Sequence, residues 1–172
     1  MAELLVDVMP VGGFQSAAEV VAAMRAGARE LDLEGQSLGD EGATLIADAL
    51  RSNGTLTRLV LTDNGLTNAG AGELASALRT NSALTYLGLR DNEITDDGAE
   101  ALAAALEANG TLRTLEVGYN AIGAAGAAAL LRRCHHDPAT GHGGRSAALT
   151  ALDLQVPQLR ARRLMPHVHD LH

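Results

Sequence analysis

Hydrophobic positions along this chain recur every 28 residues. Leu33, Leu61, Leu89 and Val117 form one column, and Leu31, Leu59, Leu87 and Leu115 form a second. Leu38, Leu66, Ile94 and Ile122 follow in the same register, as do Ile46, Leu74, Leu102 and Leu130. A further column runs Leu50, Leu78, Leu106 and then Cys134. Two polar or small columns keep step with them: Gln36, Asn64, Asn92 and Asn120, and Gly42, Gly70, Gly98 and Gly126. A repeat of this length signals stacked supersecondary units, each burying its apolar face against its neighbours.

Each unit has two halves with different periods. In Leu56-x-x-Leu59-x-Leu61-x-x-Asn64 the apolar residues alternate, which predicts a short strand with one buried face. In the stretch from Gly70 to Leu78, the residues Leu74, Ala77 and Leu78 fall on one helical face. Thr95, Asp96 and Asp97 stand before Gly98 as capping and acidic groups for a helix start. Asn53, Asn81 and Asn109 follow the last apolar residue of each helix, where a left-handed cap is expected. One local signal points elsewhere, because Asn64-Gly65 between apolar residues resembles a hairpin turn. The neighbouring units carry Asn92-Glu93 and Asn120-Ala121 at that place, and a helical pattern follows, so the hairpin is rejected. The Asn column is instead expected to bond backbone groups of the adjacent turn, forming a ladder through the stack.

The unit Leu-x-x-Leu-x-Leu-x-x-Asn-x-Leu-x-x-x-Gly-Ala-x-x-Leu-Ala-x-Ala-Leu resembles the leucine-rich repeat of the ribonuclease-inhibitor class. The match covers three central repeats from Leu56 to about Asp137 and a degenerate one from Ala28 to Thr55. The resemblance implies an α/β solenoid, a horseshoe arc with a concave parallel sheet and convex helices. The chain then divides into an N-terminal cap or worn repeat (1–27), four repeats (28–137), a Gly/His-rich loop (138–148), and a C-terminal strand with cap or tail (149–172). Within the first segment, residues 3–8 suit a strand and residues 16–26 a helix. At the far end the strand pattern Leu149, Leu152, Leu154 arrives nine residues late.

In this repeat class partners usually dock on the concave sheet, whose outward positions follow from strand alternation. Arg58, Val60, Tyr86, Arg90, Asp91, Glu116 and Tyr119 are the candidate partner-binding residues. Both tyrosines of the chain are among them, and Tyr and Arg dominate binding hot spots. Alternation also makes Tyr86 a solvent-facing side chain whose truncation to alanine is expected to leave stability nearly unchanged.

Composition narrows the chemistry. The 172 residues hold 13 basic residues, all Arg, so no lysine nucleophile or P-loop lysine exists. A net charge of -8 disfavours a nucleic-acid backbone as partner. Residues 1–130 carry 18 acidic residues against 7 arginines, and residues 131–172 carry 3 against 6. That asymmetry suits a basic partner on the acidic arc, or self-association between copies. The single Cys134 fits a reducing, cytoplasmic compartment, and its place in a leucine column makes it core rather than nucleophile. The N-terminus is a poor secretory signal, and no apolar run approaches the ~18 residues of a membrane span. All six histidines lie beyond residue 134, without the spacing of a closed zinc site, so neither metal nor cofactor is expected. No catalytic constellation emerges. The sequence thus reads as a non-enzymatic module for another protein, the alternative being a structural or self-assembling scaffold.

Overall fold

The computed structural model describes residues 16–134 and 149–154. Among the described residues helix α1 (Ala17–Arg25) comes first, followed by β1 (Glu30–Asp32), α2 (Gly39–Leu50), β2 (Arg58–Val60) and α3 (Asn68–Leu78). Then come β3 (Tyr86–Gly88), α4 (Asp96–Leu106), β4 (Thr114–Glu116), α5 (Ala124–Cys134) and β5 (Ala151–Asp153). The five strands form one parallel sheet in chain order. Register is strict: Leu31, Leu59, Leu87, Leu115 and Leu152 are consecutive partners. The β4–β5 step absorbs the nine extra residues, as the late leucine pattern requires.

The core lies between sheet and helices. The inward strand residues Leu59, Leu87 and Leu115 are wholly buried, as are Leu61, Leu89 and the helix residues Leu74 and Leu102. Each such side chain stabilises the fold by roughly 1.5–3 kcal/mol. Strands pack about 4.8 Å apart and helices about 8–10 Å apart. Stacking one of each per unit therefore curves the arc with the sheet inside.

Three ladders of polar side chains run along the stack, and they employ all seven asparagines of the chain. The first is the expected one. Asn64 donates to Leu33 O, Asn92 to Leu61 O and Asn120 to Leu89 O, at 2.8 to 2.9 Å. Their amide oxygens accept from Leu38 N, Leu66 N and Ile94 N.

The second ladder corrects an expectation. Asn53, Asn81 and Asn109 do not adopt left-handed backbone. The helices end in right-handed caps at Arg51, Arg79 and Glu107. The asparagine amides then reach back one repeat: Asn81 donates to Leu50 O and Asn53 O, and Asn109 to Leu78 O and Asn81 O. Side-chain bonds satisfy the orphan carbonyls that a left-handed cap would otherwise serve.

The third ladder explains the glycine column at Gly70, Gly98 and Gly126. Asp40 Oδ1 accepts from Thr67 N and Gly70 N, both at 2.9 Å, and Oδ2 accepts from the Thr67 hydroxyl at 2.6 Å. Asn68 serves Thr95 N and Gly98 N in the same way, and Asp96 serves Gly123 N and Gly126 N. The first turns of α2, α3 and α4 thus each cap the helix that follows. Thr95 makes no cap bond of its own, contrary to the sequence expectation, because its hydroxyl accepts from Asn68. Burial pushes the Asp40 carboxyl up, but the bonds from Thr67 and Gly70 outweigh it and hold the group below its ordinary value of 3.8. A depressed folded pKa contributes stability above that value and loses it as pH falls through the folded pKa. Asn68 shows that an amide can fill this position. Asp40→Asn is therefore expected to cost less than about 1 kcal/mol at neutral pH, against about 2 kcal/mol for Asp40→Ala. Urea unfolding across acid pH should show a flatter decline for Asp40→Asn. Equal loss for both variants at neutral pH would contradict the cross-repeat cap.

Candidate functional site on the concave sheet

Strict register places the outward side chains in straight columns across the sheet. One column runs Glu30, Arg58, Tyr86, Thr114, Ala151, and the next runs Asp32, Val60, Gly88, Glu116, Asp153. These columns assemble the candidate residues into two arrays.

In the first array the Arg58 guanidinium lies 3.6 Å from the centre of the Tyr86 ring. The ring leans along the sheet rather than standing in solvent. Its Cε1 lies 3.4 Å, and its hydroxyl oxygen 3.7 Å, from where a Cβ on Gly88 would stand. The missing side chain at Gly88 is the space that Tyr86 fills. Val60 lines the same spot and is only 7% exposed, so it offers a partner little area. Burial, then the Glu116 carboxylate that pairs with the hydroxyl, push the Tyr86 phenol above its ordinary value of 10.0; Arg58 offsets part of this.

Two consequences follow. Tyr86 is half-buried and stacked, so Tyr86→Ala should cost about 1–2 kcal/mol, correcting the solvent-facing expectation. A raised phenol pKa means that its stabilising contribution is present below pH 10.0 and lost as pH rises through the folded value. In a Tyr119→Phe background Tyr86 is the remaining tyrosine. Its absorbance titration should then show a midpoint above 10.0 that falls when Glu116→Gln is added. A midpoint unmoved by Glu116→Gln would remove the Glu116 contribution.

The second array joins the segment just past β3 to β5. Arg90 Nη1 meets Asp153 Oδ2 at 2.7 Å, and its guanidinium carbon lies 5.2 Å from the centre of the Tyr119 ring. Gly118, two residues past the end of β4, accepts from Asp91 N through its carbonyl and puts no side chain in the way. Sequence reading named Arg90 but not this partner. The signal was present, because Asp153 falls in the column of Glu116 once the nine-residue delay is counted.

Asp91 and Tyr119 lie just past the strand ends rather than on them. With Gly35 and Asp63 they form a row of left-handed residues, φ between 52° and 67°. Asp tolerates this conformation because a short polar side chain can bond locally, whereas a bulky residue there costs about 1–2 kcal/mol. Tyr119 adopts it and is 56% exposed, one of two large apolar side chains so exposed among the described residues. The other, Leu45, is on helix α2. Among the described residues no three metal-ligating side chains converge, and no helix is long and apolar enough to cross a membrane. The histidine segments and the expected strand at 3–8 lie outside them.

Parallel strands in chain order, a helix after each of the first four, and an asparagine ladder at the strand-to-helix turn define a leucine-rich-repeat solenoid. Residues 52–75, 80–103 and 108–131 match the family model described as Leucine Rich repeat, and the chain is a leucine-rich-repeat protein. Among solved structures it is similar to "Leiomodin-1 Actin-Binding Site 2 (ABS2)". There the TM-score is 0.66 with 21% identity over 82% of this chain and 78% of that one. It is also similar to a Caenorhabditis elegans tropomodulin C-terminal domain, with a TM-score of 0.66 and 10% identity over 84% and 86% of the two chains. At these identities the likeness shows the fold. No curated protein sequence matches the chain.

Proposed function

We propose that the arc is a protein–protein interaction module that takes a macromolecular partner on its concave face. The contacts would come from Arg58, Tyr86, Arg90, Asp91, Glu116 and Tyr119, with Val60 beneath them. Tyr119 carries the reading. An aromatic held exposed in a left-handed conformation, where Gly or Asp fills the other repeats, makes sense as a contact surface, since strain is retained where it serves recognition. The two arrays beside it hold Arg58 and Arg90 in fixed positions, which lowers the ordering cost of binding. The fold has a protein-binding precedent in the leiomodin-1 structure, titled an actin-binding site. The 28-residue period and the helical return of the central repeats support a ribonuclease-inhibitor-like arc. The reading is of a binding module rather than an enzyme, in a cytoplasmic setting.

The test is capture from lysate of the source cell with three baits: wild type, a Tyr119→Ala/Asp91→Ala variant, and a Glu73→Ala/Glu100→Ala variant of the helical side. A protein lost with the first variant and kept with the second supports the concave site. Loss with the helical variant alone moves the site to the convex side. Capture of nothing but the chain itself favours the scaffold reading, which the near-identical central repeats recommend.

A further inference from the structure

Asparagine followed by glycine is the most labile dipeptide for spontaneous deamidation, because glycine leaves its backbone nitrogen unhindered. The chain contains three: Asn53-Gly54, Asn64-Gly65 and Asn109-Gly110. All three asparagines are ladder rungs, but they are not equally guarded. Asn64 and Asn109 are 2% and 3% exposed, and each amide nitrogen is held by two carbonyls. Asn53 is the first rung of its ladder and is only half-buried. Its amide nitrogen holds one carbonyl, Met24 O at 3.0 Å, and the Thr55 hydroxyl at 3.3 Å. Its amide oxygen accepts from Thr55 N at 3.0 Å and Leu56 N at 2.8 Å, which polarises the Cγ carbonyl toward attack. Gly54 is exposed, with no atom within 4 Å of a Cβ position.

We propose that Asn53-Gly54 is a site of spontaneous deamidation in the folded protein, and that the ladder shields the other two pairs. The Gly54 backbone nitrogen, giving its proton to solvent base, attacks Asn53 Cγ. The Cγ–Nδ2 bond breaks and ammonia leaves, closing a succinimide ring. Water then opens the ring to aspartate or isoaspartate, and no oxidant or reductant takes part. The product carboxylate cannot donate to Met24 O, so the modification removes the hydrogen bond that ties the end of α1 to the turn after α2. An isoaspartate also adds a main-chain carbon to the turn before β2.

The experiment incubates the intact chain in warm, mildly alkaline buffer, with and without urea, and maps peptides for the gain of about one mass unit that deamidation gives. Folded, the peptide with Asn53 should convert first. Those with Asn64 and Asn109 should convert at least about tenfold more slowly than in urea, because reaction there requires local opening and each 1.4 kcal/mol of opening is tenfold. Gly54→Ala fits the open space and should suppress conversion at Asn53 alone. Equal rates at the three pairs in the folded chain would overturn the shielding. Slow conversion at Asn53 beside fast conversion elsewhere, or no conversion at any pair outside urea, would overturn the site.

Discussion

Asn92→Ala is expected to lower the folding free energy by about 3 kcal/mol, the largest effect of any single polar truncation in the arc. The Asn92 amide nitrogen donates to Leu61 O at 2.9 Å, Leu89 O at 3.1 Å and Arg90 O at 3.0 Å. Its oxygen accepts from Asn64 N at 3.1 Å and Leu66 N at 2.9 Å. The side chain is 8% exposed, so water cannot readily replace it. Alanine removes five bonds; Leu89 O keeps the Asn120 amide and Arg90 O keeps Asp63 N, but Leu61 O and the Asn64 and Leu66 N–H groups lose the Asn92 partner, each buried orphan costing roughly 1–3 kcal/mol before relaxation. Relaxation and partial hydration bring the sum down to the stated figure. For a chain of this length the melting temperature should fall by about 6–12 °C. Asn120→Ala should cost less, because Asn120 is less buried and its oxygen accepts from Ile94 N alone among the bonds seen. Thermal unfolding followed by circular dichroism checks both. An unchanged melting temperature for Asn92→Ala, or a larger loss for Asn120→Ala, would contradict the ladder as the source of stability.

The second large effect is a contrast in sign between two helical glycines. Gly98→Ala should destabilise by about 2 kcal/mol or more, and Gly72→Ala should stabilise by about 0.5–1 kcal/mol. Alanine is the better helix former at both places, by about 1 kcal/mol. At Gly72, in α3, nothing lies within 4 Å of the new methyl, so the propensity gain stands alone. At Gly98, in α4, the methyl would meet Asn68 Oδ1 and Ile94 Cγ2, each at 2.7 Å. The Asn68 oxygen cannot simply swing aside, because it accepts from Gly98 N at 3.1 Å and Thr95 N at 2.9 Å. The clash therefore adds overpacking of about 1–3 kcal/mol to the loss of a helix cap of about 1 kcal/mol. Urea unfolding of the two variants beside wild type settles the signs. Stabilisation by Gly98→Ala would mean that Asn68 is free to move and that the third ladder carries little energy.

These ladders show where sequence reading reached and where it stopped. The column of Asn64, Asn92 and Asn120 was legible because one residue type recurred at one phase, and its bonds to a neighbouring turn followed from the need to satisfy backbone groups. The column of Asn53, Asn81 and Asn109 was equally visible but was read as a left-handed cap. Nothing in a linear pattern tells whether the backbone or the side chain meets an orphan carbonyl. The cap ladder was hidden for another reason. Its members alternate Asp40, Asn68, Asp96, so they form no column of one residue type, and each serves the helix 27 to 30 residues ahead.

The candidate site divides in the same way. Alternation placed Tyr86, Arg58 and Glu116 on the outward face, but not the tilt that lays the ring over Gly88. Arg90 and Asp153 lie 63 positions apart, in a part of the chain where the 28-residue phase has slipped. By itself the sequence determined the period, the buried columns, the strand-plus-helix unit and the face on which each strand residue stands. Those depend on local geometry and on which side chains leave water. Tertiary structure alone decided which neighbouring repeat each polar side chain serves, that Tyr119 sits left-handed and exposed, and that Arg90 spans to β5. Such contacts depend on how far one unit is offset from the next and on which rotamers the stack leaves open, and neither quantity is written in the order of residues.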